Sequence, residues 1–197
     1  MEYLSTGRFG RITKNIINNG FEEYLDKILY DSMGFLKMNK KQKAEYIQLV
    51  IIRMEKYLGK DNTQKVLSSC GKQCCGKSWA TFVKDIWDET KELTRFFELL
   101  NLREKPYNTE FVYNKEKNTV IIERSKCLCG LVEKAQYKHE TGLYCECSTG
   151  HFKEFFETIF IVEDVNLQQS ILYGSDCCKW EVRIKEKIKE KRKDIPI

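Results

Sequence analysis

The 197-residue sequence has little proline and no long apolar run. Its two prolines, Pro106 and Pro196, exclude long proline-rich linkers. The longest apolar stretches hold about four residues, as at 49–52, whereas a transmembrane helix needs roughly 20. The first residues also lack an apolar run of signal-peptide length. We therefore expect no membrane partner and a cytoplasmic location.

Outside the C-terminal stretch, positive and negative charges nearly balance. The chain has 34 basic and 29 acidic residues, a net charge of +5. Residues 183–194 hold seven basic and three acidic residues, a surplus of four, which leaves +1 for the remainder. A nearly neutral body argues against a nucleic-acid partner. The basic stretch is typical of a solvated, frayed helix or a disordered end.

Familiar catalytic motifs are absent, and histidine is rare. No Walker A, GxSxG, GxGxxG or HExxH pattern occurs. Of the two histidines, His139 lies in a polar run and is expected to be solvated. His151 follows Cys147-Ser148-Thr149-Gly150 and is expected to open a helix. It is a candidate metal ligand or acid/base group, with an ordinary first-turn residue as the alternative, so enzymatic activity stays open.

Helical periodicity dominates the first half of the chain. Residues 21–29 predict a short helix, and 40–58 predict a clearer one with Asn39 as N-cap and Gly59 at its C-terminal end. Residues 77–102 predict the longest helix, with an aromatic stripe along one side. Such a stripe is typical of a core, and otherwise forms one wall of a ligand pocket.

The period then changes to that of strands. Residues 111–113 and 119–122 predict a hairpin, 151–162 a helix, and 165–171 with 180–184 a second hairpin. The predicted helices come first in the chain and the strands mostly later. This order indicates an α+β fold, with an antiparallel sheet of about four to five strands packed against helices. We expect a single cysteine-rich domain over 41–184. An N-terminal helical extension (1–40) precedes it and a basic tail (185–197) follows.

Nine cysteines are many for a reducing compartment, where structural disulfides are disfavoured. In extended backbone the side chains at i and i+2 share a face, so two C-x-C pairs can direct four thiolates to one point. Zn²⁺ prefers such a tetrahedral set. The spacing therefore predicts a zinc site made by Cys127, Cys129, Cys145 and Cys147. The alternative is that these cysteines are small buried hydrophobes.

Three further cysteines lie in the segment 68–77, which we interpret as a turn leading into the long helix. A helix N-terminus and nearby lysines stabilise a thiolate. We therefore predict that Cys74 or Cys75 is the most reactive thiol, with Cys74 a candidate catalytic residue. A capping loop with packed cysteines is the alternative.

A ligand pocket is expected between the helices and the sheet. The candidate walls are aromatic: Trp79, Phe82, Trp87, Phe152, Phe155, Phe156 and Trp180. A filled aromatic core is the competing interpretation.

Two segments of the C-terminal third carry a family resemblance: 142–157, GLYCECSTGHFKEFFE, and 170–184, SILYGSDCCKWEVRI. They resemble the vinyl-reductase-like ligand-binding domain, with its glycine-led helix and closing G-x-x-x-C-x-[FW]-x-[IV] strand. The chain is more similar still to a cysteine-rich group near L-2-amino-thiazoline-4-carboxylic acid hydrolase. That group also resembles the chain at Cys70-Gly71-x-x-Cys74 and Cys127-x-Cys129, so the resemblance covers residues 68–184.

The resemblance implies a fold of the small-molecule-sensor and trafficking-adaptor type, often dimeric, and hence a homodimer here. In sensor members four side chains hold a zinc ion, and Cys145 and Cys178 match the first and last of them. The two middle positions fall on Leu167 and Ser170, which do not replace a thiolate or carboxylate. Cys127, Cys129, Cys147 or Cys177 would have to complete the shell.

Three functions follow as hypotheses. The first is a small-molecule-binding protein with a cysteine-lined zinc site. The second is a hydrolase of a small thiazoline or cyclic amidine, in which Cys145 and Cys147 hold a metal whose bound water attacks and His151 moves the proton. The third is a thiol redox protein that uses Cys70 and Cys74.

Overall fold

The computed structural model describes residues 4, 6–130 and 142–188. Six helices and four strands are described in chain order. The helices are α1 Gly7–Asn18, α2 Leu25–Ile28, α3 Lys40–Leu58, α4 Lys60–Thr90, α5 Leu93–Glu104 and α6 Glu146–Glu157. The strands are β1 Thr109–Asn114, β2 Thr119–Arg124, β3 Phe160–Gln169 and β4 Cys178–Ile188. Within the described ranges, no helix has both the length and the apolar composition needed to cross a bilayer.

Helix α3 has the predicted boundaries, 40–58. The Asn39 side chain accepts a hydrogen bond from Gln42 N, and the Gln42 side chain accepts one from Asn39 N. This reciprocal pair satisfies two backbone donors that the first helical turn leaves open. The apolar stripe of α3, which includes Ile47, Val50 and Ile51, is fully buried.

The predicted single helix over 77–102 is wrong. Helix α4 ends at Thr90, since Lys91 has a left-handed φ of 52°. Helix α5 starts anew at Leu93, and the Glu92 side chain caps it by accepting from Thr94 N and Arg95 N. The carboxylate satisfies two donors of the new helix and favours this start.

The predicted turn over 68–77 is also wrong, because α4 already begins at Lys60. The helix is kinked at Gly76, whose φ of 60° and ψ of 179° are readily adopted only by glycine. The last helix is displaced as well. Helix α6 covers 146–157 instead of 151–162, and Phe160 already belongs to β3.

The four strands form one antiparallel sheet in the order β1-β2-β4-β3. Both predicted hairpin regions are present, and the predicted α+β class with an antiparallel sheet against helices is confirmed. Opposite residues of neighbouring strands share a face, so Phe111, Ile122 and Trp180 project together. All three are buried against the helices.

The buried apolar residues form two clusters. One includes α1, α2, α3 and the first half of α4. The other includes the second half of α4, α5, part of α6 and the sheet. Leu167 packs against both. The division into an extension, a domain and a tail stays a prediction. Strand β4 continues through Lys185 to Ile188, and the tail residues 189–197 lie outside the described part, as does His139.

Helices α4 and α6 cross in direct backbone contact at two glycines. A Cβ atom on Gly71 would lie 1.8 Å from the Cys147 carbonyl oxygen, and one on Gly150 would lie 1.9 Å from the Ser68 carbonyl oxygen. No side chain larger than hydrogen fits at either position, since the obstructing atoms belong to backbone. The crossing therefore sets the distance between the two helices.

We expect Gly71→Ala or Gly150→Ala to lower the free energy of unfolding by about 3 kcal/mol or more, because the helices must separate to admit the methyl group. Denaturant unfolding measures the change. Gly130→Ala is the matched control, since a Cβ there meets no atom within 4 Å. Equal stability of Gly71→Ala and Gly130→Ala would contradict the close crossing.

Candidate functional site

The site lies at the end of the sheet where β2 finishes and β4 begins. Arg124 ends β2 and pairs with Thr109 of β1 on one side and with Cys178 of β4 on the other. These three side chains therefore share the helix-facing side of the sheet. After β2 the chain leaves the sheet as an irregular segment over 125–130. The start of α6 lies against the same end.

These elements enclose a pocket of about 260 Å³. Six cysteines, four aromatic residues, four charged or imidazole side chains and three others line it. They are Cys74, Cys127, Cys129, Cys145, Cys147 and Cys178; Trp79, Tyr107, Tyr144 and Trp180; Glu104, Arg124, Lys126 and His151; and Leu128, Ser148 and Leu172.

The structure places the five proposed metal cysteines, Cys74 and His151 on this one pocket. Of the seven aromatic candidates, Trp79 and Trp180 line it. The others lie elsewhere: Phe82 packs on Trp79 in an edge contact, and Trp87, Phe152, Phe155 and Phe156 are buried in the core. The aromatic stripe is thus largely core, and the pocket wall is richer in sulfur than in rings.

The backbone premise for the second C-x-C pair is wrong. Cys145 ends a 3-10 turn over Leu143–Cys145, and Cys147 lies in the first turn of α6, so neither is in extended chain. Cys127 and Cys129 lie in the irregular segment after β2. Tertiary packing, and not a shared strand face, brings these thiols to the pocket.

The pocket thiols engage hydroxyl and amide groups. Cys145 Sγ lies 3.1 Å from Ser170 Oγ, and Cys129 Sγ lies 3.1 Å from Tyr144 Oη. Cys178 Sγ accepts a hydrogen bond from Ile171 N at 3.4 Å. Ser170 thus places its hydroxyl beside the Cys145 thiol.

Burial raises the pKa of Cys145 to about 12, and the thiols of Cys178 and Cys127 raise it further while the Ser170 hydroxyl opposes them. Cys145 is therefore a neutral thiol at physiological pH. Metal ligation would require its deprotonation. Among the described residues, no three histidine, cysteine or carboxylate side chains are grouped as a metal site. The zinc ion stays a prediction.

Cys70, Cys74 and Cys75 lie on α4 before its kink, and not in a loop. Burial raises the pKa of Cys70 to about 11 and that of Cys75 to about 12. Cys70 Sγ also accepts a hydrogen bond from Asn15 Nδ2 at 3.4 Å. The expected thiolate at a helix N-terminus is therefore wrong for Cys75. Cys74 is half-buried and lines the pocket.

His151 is one helical turn beyond Cys147 on α6. Its ring makes edge contacts with Trp79 at 5.7 Å and with Phe152 at 5.6 Å between centroids. Burial lowers its pKa to about 4, and the nearby positive charge of Arg124 lowers it too. The imidazole is therefore neutral at physiological pH, as a metal ligand must be.

Arg124 is the site residue that the sequence analysis missed. Its guanidinium carbon lies 4.9 Å from the ring centre of Phe152 and 5.9 Å from that of Trp180. Its Nε donates to Thr109 Oγ1 at 3.0 Å. Burial lowers its pKa, while Glu104, Cys178 and Cys127 act to raise it. One arginine at a strand end forms no sequence pattern, so no signal marked it.

Comparison with protein families shows which family the chain belongs to. Residues 10–189 match the family described as a family of unknown function, DUF6144. The chain belongs to this family. No curated protein matches it. The affiliation with the vinyl-reductase-like domain stays a prediction.

Solved structures give only distant likenesses to this DUF6144 chain. An H-NOX protein from S. oneidensis in the Fe(II) ligation state is 12% identical, with a TM-score of 0.49, over 91% of this chain and 95% of that one. Trafficking protein particle complex subunit 3 from Naegleria fowleri, covalently bound to palmitic acid, is 13% identical, with a TM-score of 0.39, over 93% and 100%. Similarity at this level carries no argument about function.

We expect alkylation of the folded DUF6144 chain near neutral pH to modify Cys74 before Cys70 and Cys75. The latter two thiols are buried and have pKa values of about 11 and 12, so little of either is the reactive thiolate. Timed labelling followed by peptide mapping measures the three rates. In denaturant the three should react alike, and faster labelling of Cys75 in the folded chain would contradict the assignment.

His151 is expected to make the protein less stable in acid. Its pKa rises from about 4 in the folded chain to about 6.5 in the unfolded chain, so the unfolded state takes up the proton first. Stability is therefore lost as pH falls from about 6.5 to 4, by about 3 kcal/mol in full. Unfolding curves of wild type and His151→Gln measure it. The variant should lose less stability across this window, and equal losses would contradict the prediction.

Proposed function

We propose that this chain is a small-molecule-binding protein whose ligand occupies the cysteine-lined pocket. The observation that carries the proposal is the pocket itself, where apolar walls surround a few fixed polar groups. Ligand sites have this composition, because apolar walls supply affinity and polar groups supply orientation. The pocket lies at the sheet end beside α6, and two of its cysteines come from the irregular segment over 125–130.

The volume of the pocket limits the size of the ligand. At about 260 Å³ the pocket is slightly smaller than the ~300–1,000 Å³ usual for drug-sized ligands. A compact molecule of small-metabolite size fits this volume better than a dinucleotide or an extended lipid chain. A cytoplasmic location and a homodimer stay parts of the proposal without support from the pocket.

A zinc ion in the same pocket is the finer form of the proposal. Cys127 and Cys178 lie near enough to Cys145 to raise the pKa of its thiol, which supports the use of these three cysteines as ligands. Bound Zn²⁺ would supply a soft Lewis acid. The thiols would first have to lose their protons, and the Ser170 hydroxyl would have to release Cys145.

The hydrolase and redox hypotheses have weaker support. His151 is neutral and lines the pocket, as a proton carrier must, but the cysteines assigned to the metal include the neutral thiol of Cys145. Cys70 and Cys74 are one turn apart on α4, and burial opposes the thiolate of Cys70 that exchange would require. Binding is therefore the function that the geometry supports best.

Native mass spectrometry of the purified chain tests binding. We expect small molecules that bind wild type to be lost from Ser148→Trp, because Ser148 lines the pocket and the indole would fill it. Lys153→Trp is the matched control, since it adds the same ring to α6 away from the pocket lining. A candidate at 100 times its dissociation constant should stabilise wild type by about 2.7 kcal/mol.

The outcomes separate the forms of the proposal. Binding that survives in Ser148→Trp would place the ligand elsewhere and contradict the pocket. A mass increment of one zinc ion that disappears in Cys145→Ala would support the finer form. Less than about a tenth of an equivalent of any transition metal, with the pocket thiols titratable, would exclude it.

A further inference from the structure

Counting only partners in the part of the chain that the structure describes, the Arg124 guanidinium has unused hydrogen-bonding capacity inside the pocket. A guanidinium carries five N–H donors in a planar fork. One of them, on Nε, bonds to Thr109 Oγ1. Within the described ranges, no carboxylate oxygen lies within 4.0 Å of the guanidinium, and neither terminal nitrogen makes a hydrogen bond. The bond to Thr109 and the rings of Phe152 and Trp180 fix its orientation.

Trp180 supplies an independent observation. Its side chain is only 2% exposed and lines the pocket. Its indole Nε1–H is buried and, among the described residues, has no hydrogen-bond partner. A buried donor without an acceptor is destabilising, so such groups generally meet a ligand or water. This donor and the guanidinium belong to the same part of the pocket, since the Arg124 guanidinium carbon lies 5.9 Å from the centre of the Trp180 ring.

The charges around this point favour an anion. Arg124 and Lys126 bring two positive charges to the pocket, and Glu104 brings one negative charge. Burial raises the pKa of Glu104, which favours its neutral form, although Arg124 opposes the shift. His151 adds no charge, since its pKa is about 4. The charged side chains of the described lining are thus positive on balance.

We propose that Arg124 and Trp180 form an anion-binding site that holds the carboxylate of a small organic acid. This inference rests on the proposed function and names the class of its ligand. A carboxylate matches the planar fork of a guanidinium with two parallel hydrogen bonds. The acid group would lie on Arg124, and the rest of the molecule would extend along the thiols toward His151 and Trp79.

The thiols beside Arg124 provide a built-in reporter. Cys127 is half-buried and interacts electrostatically with the guanidinium. Iodoacetate and iodoacetamide alkylate a thiol by the same reaction: sulfur attacks the methylene carbon, a C–S bond forms, iodide leaves and the thiol proton passes to solvent. Only iodoacetate carries a carboxylate. Their rate ratio at one cysteine therefore cancels that cysteine's thiolate fraction and reports anion binding.

In the full-length chain we expect the ratio of iodoacetate to iodoacetamide rates at Cys127 to exceed that at Cys177 by about tenfold or more, as a charge-assisted hydrogen bond would give. Cys177 does not line the pocket and serves as the internal reference. The iodoacetate rate should also saturate with reagent concentration. In Arg124→Met the ratio should fall to that of Cys177, and in Arg124→Lys it should lie between.

Arg183→Met is the charge-matched control, since Arg183 pairs with Asp164 away from the pocket. It should leave the ratio at Cys127 unchanged. A second measurement needs no variant: benzoate should protect wild-type Cys127 from iodoacetamide, and benzamide at the same concentration should not. The comparison of benzoate with benzamide tests the anion site even if Arg124→Met does not fold.

Equal protection by benzoate and benzamide, or a ratio unchanged in a folded Arg124→Met, would overturn the anion site and leave the pocket proposal intact. Protection by inorganic phosphate as strong as that by benzoate would overturn the assignment to carboxylates. No labelling of any pocket cysteine by either reagent in the folded chain would show a closed pocket, and both proposals would fail.

Discussion

The close crossing of α4 and α6 at Gly71 and Gly150 is the constraint on which the rest of the site depends. Each glycine lies against backbone of the facing helix, so α4 and α6 approach more closely than side chains would allow. Cys74 and His151 lie one turn or less from this crossing, and Cys147 supplies one of its contacting atoms. A larger residue at either glycine would separate the helices and widen the pocket. The positions of the reactive side chains in the pocket wall therefore depend on two glycines, which have no side chain themselves.

Burial decides the protonation states in the pocket. It keeps the Cys145 thiol and the His151 imidazole neutral, since a charge on either would lose hydration. Arg124 is the exception, because a guanidinium keeps its proton even when burial lowers its pKa. Arg124 therefore keeps its positive charge beside the neutral Cys145 thiol and the neutral His151 imidazole. Lys126 and Glu104 are the other charged side chains of the described lining.

The sequence predicted those features that depend on local pattern. Helix α3 follows from an apolar stripe between Asn39 and Gly59, and the hairpins follow from β-branched and aromatic residues around polar turns. The first half of α4 was missed, because only Val66 and Leu67 of its buried residues are large aliphatic side chains, while Thr63, Cys70 and Gly71 are small. Small residues permit the close backbone approach at Gly71 and give little apolar periodicity.

The site was predicted only in part, for a related reason. The clustering of cysteines was visible in the sequence. Cys145 and Cys147, however, lie in a 3-10 turn and a helix and not in the extended backbone that the spacing argument assumed. Arg124 belongs to no sequence motif that would mark it as a site residue. Its position follows from the register that sets it between Thr109 and Cys178, which depends on pairing across three strands. Pairing of this kind is decided by tertiary structure and not by residue spacing.

The pocket lies where the two hydrophobic clusters meet. Tyr144 and Leu172 belong to the cluster around α1–α3, whereas Trp180 and Cys178 belong to the cluster beneath the sheet. All four line the same cavity. A molecule bound there would contact both halves of the core at once, and its binding energy would be lost when either half opened. Occupancy would thus couple the opening of one cluster to the opening of the other.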